Sequence, residues 1–263
     1  MNKFLMVTLF SLFLTSTAHA QAEWRLEQIF AGFAAPTAIV MDNNGHLYIS
    51  NWSNGTITKL DRNGNKSLFA SDMAAPAGLA FDRQGNLLAA DYRQNLIYKI
   101  SPAGVKSIFA QDNLATPTGI SFSGSGELRV ANRGSNEIIA LDSDGNLKRV
   151  IARGLDTPVG ITEAADGTIY VSNYGGGISR ITPNSLMLNF SREFTSPGVG
   201  MAWHDNHLYV VDNGADCVRL LRSDGTTLTV LDNIKGAVAL FIDPRGNMYV
   251  GSWTEGNIYK YVK

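Results

Sequence analysis

Short apolar stretches, each cut off by a cluster of Gly, Asn, Asp or Pro, follow one another along the chain from about residue 24 to its end. Residues 76–110, PAGLAFDRQGNLLAADYRQNLIYKISPAGVKSIFA, show the pattern most cleanly. Residues 78–81 are small and apolar, Asp82-Arg83-Gln84-Gly85 is a polar turn, and residues 86–90 are apolar again. After Asp91-Tyr92 and a polar loop, residues 96–100 alternate, 101–104 turn, and 105–110 alternate once more. Runs of this length, rich in Ile, Leu, Phe and Tyr and bounded by turn formers, predict strands. The stretch is one four-stranded antiparallel meander.

The meander repeats. The residue that opens each first strand is Pro36, Pro76, Pro117, Pro158, Pro197 and finally Ala237, at spacings of 39 to 41 residues. Six copies of an all-strand unit at this period fit radial packing of four-stranded blades, because horseshoes and helical solenoids need helices or shorter turns. The expected fold is all-β, a six-bladed β-propeller. Its ends indicate how it closes. Residues 25–31, RLEQIFA, match the fourth strands KSLFA at 66–70 and KSIFA at 106–110, while the last unit stops after its third strand, IYKYVK. The N-terminal strand is therefore expected to complete the last blade, removing edges that would otherwise invite aggregation.

Residues 1–20 read as a separate element. Lys3 precedes an apolar run at 4–14, and Ala18-His19-Ala20 has the small-x-small form of a cleavage site, so a secretory signal peptide with a mature start at Gln21 is expected. The run is too short to span a bilayer as a helix, and no comparable run follows. Residues 21–263 are then a single exported domain, periplasmic or secreted. The formal net charge is −1 and becomes one unit more negative without Lys3. With no basic run, nucleic acid is excluded as a partner, since many phosphates would have to be neutralised. Cys217 is the sole cysteine, so the domain holds no internal disulfide. It aligns with Ile57 and Ile97, which makes it a core residue. Asp142-Ser143-Asp144-Gly145-Asn146 resembles the start of a calcium loop, but Arg153 stands where the closing carboxylate belongs, and a plain β-turn is expected.

Strand geometry then points to a functional face. First strands are innermost, and their third positions are small: Ala38, Gly78, Gly119, Gly160, Val199 and Ala239. First and second strands are antiparallel and joined by a tight turn, so every second strand ends on the face that carries the Pro anchors. Those ends read Asn51-Trp52, Asp91-Tyr92, Asn132-Arg133, Asn173-Tyr174, Asp212-Asn213 and Ser252-Trp253. A polar ring is followed by a mostly aromatic one. The polar residues have two readings: bonds to their own loop backbone, or contacts to a ligand. The aromatics Trp52, Tyr92, Tyr174 and Trp253 either pad the gaps between blades or form a ligand surface, with Arg133 the cation for an anionic ligand. Trp52 and Trp253 should be neighbours across the ring closure, beside Tyr92.

The motifs in PVGITEAADGTIYVSNY and EGNIYKY, at 158–174 and 255–261, carry a family resemblance. They resemble the NHL-repeat six-bladed propellers, to which gluconolactonase-like enzymes, streptogramin-lyase-like enzymes and peptidyl-amide lyases are related. The resemblance implies a fold, while function must come from the site. Gluconolactonase-like enzymes hold a divalent metal with Glu, Asn and Asp at the channel mouth; the matching positions here read Thr37, Ala77, Thr118, Val159, Gly198 and Val238. The lyase relatives use histidines on the functional face, whereas His46, His204 and His207 fall in or beside first-to-second-strand turns at the other end. No Gly-x-Ser-x-Gly elbow or Ser-His-Asp order appears.

The sequence therefore supports a monomeric propeller that binds a small molecule, peptide or protein through Trp52, Asp91, Tyr92, Asn132, Arg133, Asn173, Tyr174, Asp212, Asn213 and Trp253, with no cofactor. A lactonase or lyase with a non-standard site is the alternative, and a calcium ion shared by two or three neighbours of the polar ring belongs only to that alternative.

Overall fold

The structure is a computed structural model that describes residues 24–263. The expected leader at 1–20 and the start at Gln21 lie outside the described residues. Six four-stranded antiparallel sheets are arranged as blades, each with its strands, here a to d, in chain order from the axis outward. Blades one to five occupy residues 36–70, 76–110, 117–153, 158–191 and 197–231. Blade six takes its first three strands from 237–262 and its outermost strand, Arg25–Ala31, from the start of the described chain. Each a strand touches those of both neighbouring blades, and that of blade six touches that of blade one, so the ring is closed.

The closing strand pairs along its whole length, from Arg25 opposite Val262 to Ala31 opposite Asn257, with a bulge between Leu26 and Gln28. Glu27 forms an ion pair with Lys260 at 2.5 Å. Trp24 stands edge-on to Tyr209 of blade five with centroids 6.2 Å apart, and the Lys263 ammonium lies 4.8 Å from its ring centre. The last blade is thereby latched to the one before it.

Burial explains why the repeat needs a ring. The apolar side chains form six clusters, one in each seam between neighbouring blades. Ile57 with Leu87 and Ile100 fills the seam between blades one and two, and Ile49 with Tyr249 and Ile258 fills that between one and six. A single blade would leave both apolar faces in water, at about 25 cal/mol for each Å² exposed. Near the axis the limit is steric. A Cβ on Gly78 would stand 2.3 Å from the Thr118 carbonyl oxygen of the next blade, well inside contact distance. Blade five departs from the expected register, because Pro197 faces Asp212 and the next pair is Met201 with Val210, one residue further than in blade two. With that insertion Gly200, rather than Val199, makes the tight approach, where an added Cβ would stand 2.3 Å from the Leu240 nitrogen. Cys217 is buried, and burial pushes its thiol pKa up. It lies one position earlier than expected, opposite Asp212, and Val218 takes the place of Ile57.

The hairpins at the far end share one device. In the turns at Asp42, Asp61, Asp82, Asp142 and Asp243, the first carboxylate oxygen accepts the backbone N–H groups two and four residues on. The 142–146 segment is one of these turns. Hydrogen bonds from Asn65, first from its side chain and then from its backbone, hold the Asp61 carboxyl below its usual range, and the Asn146 backbone N–H does the same for Asp142.

Two predictions follow from closure and from these turns. Deleting residues 24–31 exposes the third strand of blade six and should remove the soluble monomer or lower the melting temperature by roughly 10 °C or more; an unchanged melt and elution volume would contradict closure by this strand. A carboxyl whose pKa is lowered on folding stabilises the fold above its unfolded value of about 3.9, and that contribution is lost as pH falls through the lower folded value. The melting temperature should thus hold from pH 7 to 5 and drop below about pH 4. The double variant Asp61→Ala, Asp142→Ala should melt lower at pH 7 with a shallower acid fall, and an unchanged acid limb would exclude these carboxylates as its source.

Candidate functional site

The b strands end on the anchor face, and the residue that follows each is pinned by the chain. The backbone N–H groups of Trp52, Tyr92, Tyr174 and Trp253 donate to the carbonyls of Ala35, Ala75, Thr157 and Gly236, the residues just before each anchor, at 2.8–3.1 Å. In blades three and five a 3-10 turn starts at this point, Arg133–Ser135 and Asn213–Ala215, and the bonds to the entering loop come instead from Gly134, to Ala115 two residues before its anchor, and from Gly214, to Ser196. Six side chains are thus brought around one axis. They rim a pocket of about 180 Å³ whose floor is the second residue of each a strand: Thr37, Ala77, Thr118, Val159, Gly198 and Val238.

The rim is aromatic on one side and cationic on the other. The Trp52 ring centre is 4.8 Å from that of Tyr92 and 5.6 Å from that of Trp253, the arrangement expected from ring closure. Trp253 and Tyr174 remain 39% and 41% exposed, far more open than a seam aromatic such as Tyr209 at 1%. The Arg133 guanidinium lies 5.5 Å from the Tyr92 ring centre and 5.8 Å from that of Tyr174, and its Nη1 donates to the Tyr92 hydroxyl. Asn213 donates its amide to the Ala237 carbonyl at 2.9 Å, which leaves its side-chain oxygen as an acceptor.

The polar ring lies elsewhere. Asn51, Asp91, Asn132, Asn173 and Asp212 are all at least 97% buried, and none lines the pocket. Asp91 accepts four backbone N–H bonds, from Ala74, Ala75, Arg93 and Gln94. Asp212 accepts from Thr195 and Ser196 and from Arg219 Nε at 3.0 Å. Asn132 accepts from Ala115, and Asn51 from Ala34. Asn173 differs: its amide nitrogen donates to Ser179, and its oxygen is buried without a partner beside a separate cavity that Asp156 also lines. The structure therefore separates Asp91, Asn132, Asn173 and Asp212 from the rim residues they precede, and Asn51, Asp91, Asn132 and Asp212 bond loop backbone while Asn173 does not.

The donor set does not suit a hard cation, which needs several oxygen ligands. The floor offers two hydroxyls, and both give their hydrogens to carbonyls: Thr37 to Ala35, and Thr118 to Ala131 and Pro158. Among the described residues no group of three or more His, Cys, Asp or Glu is placed to hold a metal. His46 sits in a far-end turn against Asp42, and His204 and His207 pair within a hairpin there. The channel behind the floor holds about 390 Å³, and its one charged lining residue, Glu163, is neutralised by Arg129 at 3.1 Å. That buried pair was not anticipated, although Arg129 stands in a column otherwise made of Tyr48, Leu88, Tyr170, Tyr209 and Tyr249. The floor residues were read only as absent metal ligands; their common position after each anchor was the signal that they share one surface.

No family model and no curated protein matches the chain. Solved structures do. A gluconolactonase from Xanthomonas campestris is 16% identical over 91% of this chain and 94% of its own, with a TM-score of 0.77. Virginiamycin B lyase from Staphylococcus aureus is 16% identical over 92% and 100%, with a TM-score of 0.73. An auxiliary nutrient binding protein from Bacteroides thetaiotaomicron is 12% identical over 88% and 69%, with a TM-score of 0.75. At these identities the likeness is one of fold, and the chain shares its six-bladed propeller with proteins described as enzymes and as binders.

Proposed function

We propose that this chain is an exported, monomeric NHL-type propeller that binds a small molecule, or a side chain of a peptide or protein partner, at the anchor-face pocket, with Trp52, Tyr92, Arg133, Tyr174, Asn213 and Trp253 as the contact residues. The observation that carries the reading is the convergence of this one sequence column on one pocket, with large aromatics held in the open by backbone bonds rather than packed into seams. Flat side chains around a concave floor give a ligand apolar area at little entropic cost, each buried ring contributing on the order of 1 kcal/mol. The leader pattern at 1–20 supports export, and no described helix is long and apolar enough to cross a membrane. Asp91, Asn132 and Asp212 enter this reading as supports of the rim, and Asn173 lies beside a separate cavity.

A second reading, a lactonase or lyase, is favoured by the fold shared with the gluconolactonase and the virginiamycin lyase. It would need a proton carrier at the mouth, where the described histidines are absent, or a divalent cation, for which the floor offers two hydroxyl oxygens and no carboxylate. Calcium-dependent hydrolysis of gluconolactone above background by the purified protein would support it over binding alone.

The binding reading is tested on the indoles. Trp52→Ala and Trp253→Ala should lower the melting temperature by roughly 2–4 °C at most and abolish the change in tryptophan fluorescence produced by small aromatic probes. Tyr209→Ala, in a seam, should cost about 3–5 kcal/mol of stability. If the two Trp variants unfold as early as Tyr209→Ala, the pair is core and the pocket loses its contact surface.

A further inference from the structure

We infer that the ligand of this pocket is a small planar monocarboxylate, a one- or two-ring aromatic acid, with its ring on Trp52 and Trp253 and its carboxylate on Arg133. The inference rests on the binding reading above and adds the chemistry of the ligand to it.

Charge is the first argument. The pocket lining holds one cation and no anion. Among the described residues Arg133 forms no ion pair, and no carboxylate shares the pocket with it. The nearest carboxylates in sequence are committed, Glu137 to Arg153 and Glu127 to Lys148 and Arg149. Arg133 spends one nitrogen on the Tyr92 hydroxyl, and its Nε is buried without a partner. A guanidinium flanked by two tyrosine rings and bonded to one of their hydroxyls is held in place, and its planar fork suits the two oxygens of a carboxylate better than a point charge would.

Shape and polarity narrow the body of the ligand. A pocket of about 180 Å³ is smaller than the roughly 300–1,000 Å³ usual for drug-sized ligands, so a compact molecule fits. The floor is Ala77, Val159, Gly198 and Val238 plus two threonines whose hydroxyl hydrogens are spent. A sugar brings many hydroxyls that need partners all round, and this mostly apolar lining offers only the oxygens of Thr37, Thr118, Asn213 and the two tyrosines. An apolar ring leaves no such group unpaired.

Phenylacetate, its neutral isostere phenylacetamide, and acetate separate the contributions. Titrations followed by tryptophan fluorescence should show phenylacetate binding roughly tenfold or more tighter than phenylacetamide, the margin expected of a charge-assisted bond, with acetate not saturating. In Arg133→Gln the preference should fall to within about twofold, and Arg133→Lys, which keeps charge without the fork, should lie between. Equal affinity of acid and amide for the native protein, or an undiminished preference in a folded Arg133→Gln variant, overturns the carboxylate inference while leaving the pocket a binding site. Failure of both ring compounds to bind, with Trp52→Ala and native protein alike, overturns the inference and the binding reading together.

Discussion

A buried polar side chain at the end of the b strand, bonded in every blade but the fourth to the loop that enters its own blade, is the interaction on which the anchor face depends. In blades one, two, three and five the side-chain oxygen of Asn51, Asp91, Asn132 or Asp212 accepts the N–H two residues before the Pro anchor. Ser252 does related work in blade six by donating to the Lys235 carbonyl. These loops would otherwise carry buried N–H groups without partners, at about 1–3 kcal/mol each. In blades one and two the carbonyl just before the anchor of the tethered loop also receives the N–H of the residue after the tether, and that residue is part of the rim. Tether and rim are adjacent in sequence and opposite in role. One is buried and holds backbone, and the other lines the pocket.

The rim is only as rigid as the ring beneath it. Each seam buries apolar faces that no blade could bury alone, and the N-terminal strand closes the last blade with pairing from Arg25 to Ala31. Glycines on the a strands let neighbouring backbones approach to distances a Cβ would forbid. A site mounted on such a frame is largely formed before its ligand arrives, so little binding energy is spent on ordering it. The same logic accounts for the range of activities among proteins of this fold. The frame is set by seams and tethers, and chemistry is set by the rim and floor residues, which can change without disturbing either.

Much of this was legible from residue order. Period, anchors and turn residues defined blades, closure and the rim column, because each rests on local patterns that repeat six times. Three features were not. Whether Asp91 or Tyr92 faces the ligand depends on how a strand leaves its ladder, and strand alternation stops being a guide at that point. The extra residue in blade five moves Gly200 into the place expected of Val199, and a single insertion inside a bulge leaves the repeat period almost unchanged. The Arg129–Glu163 pair spans two blades 34 residues apart in sequence, so nothing local announces it. The aromatic and cationic rim, in contrast, could be found because all six members occupy one alignment position.

The central claim is that ligand chemistry occurs on the rim and nowhere else along the axis. The four tryptophans report on it separately, since Trp52 and Trp253 stand at the rim while the indole nitrogens of Trp24 and Trp203 are buried. Indole N–H resonances of the isotopically labelled protein, assigned by single Trp→Phe variants, should be followed as phenylacetate is added. The account predicts that the Trp52 and Trp253 signals move together and saturate while those of Trp24 and Trp203 stay in place. Movement of the Trp203 signal without the rim pair would put the ligand at the other end of the channel and contradict it.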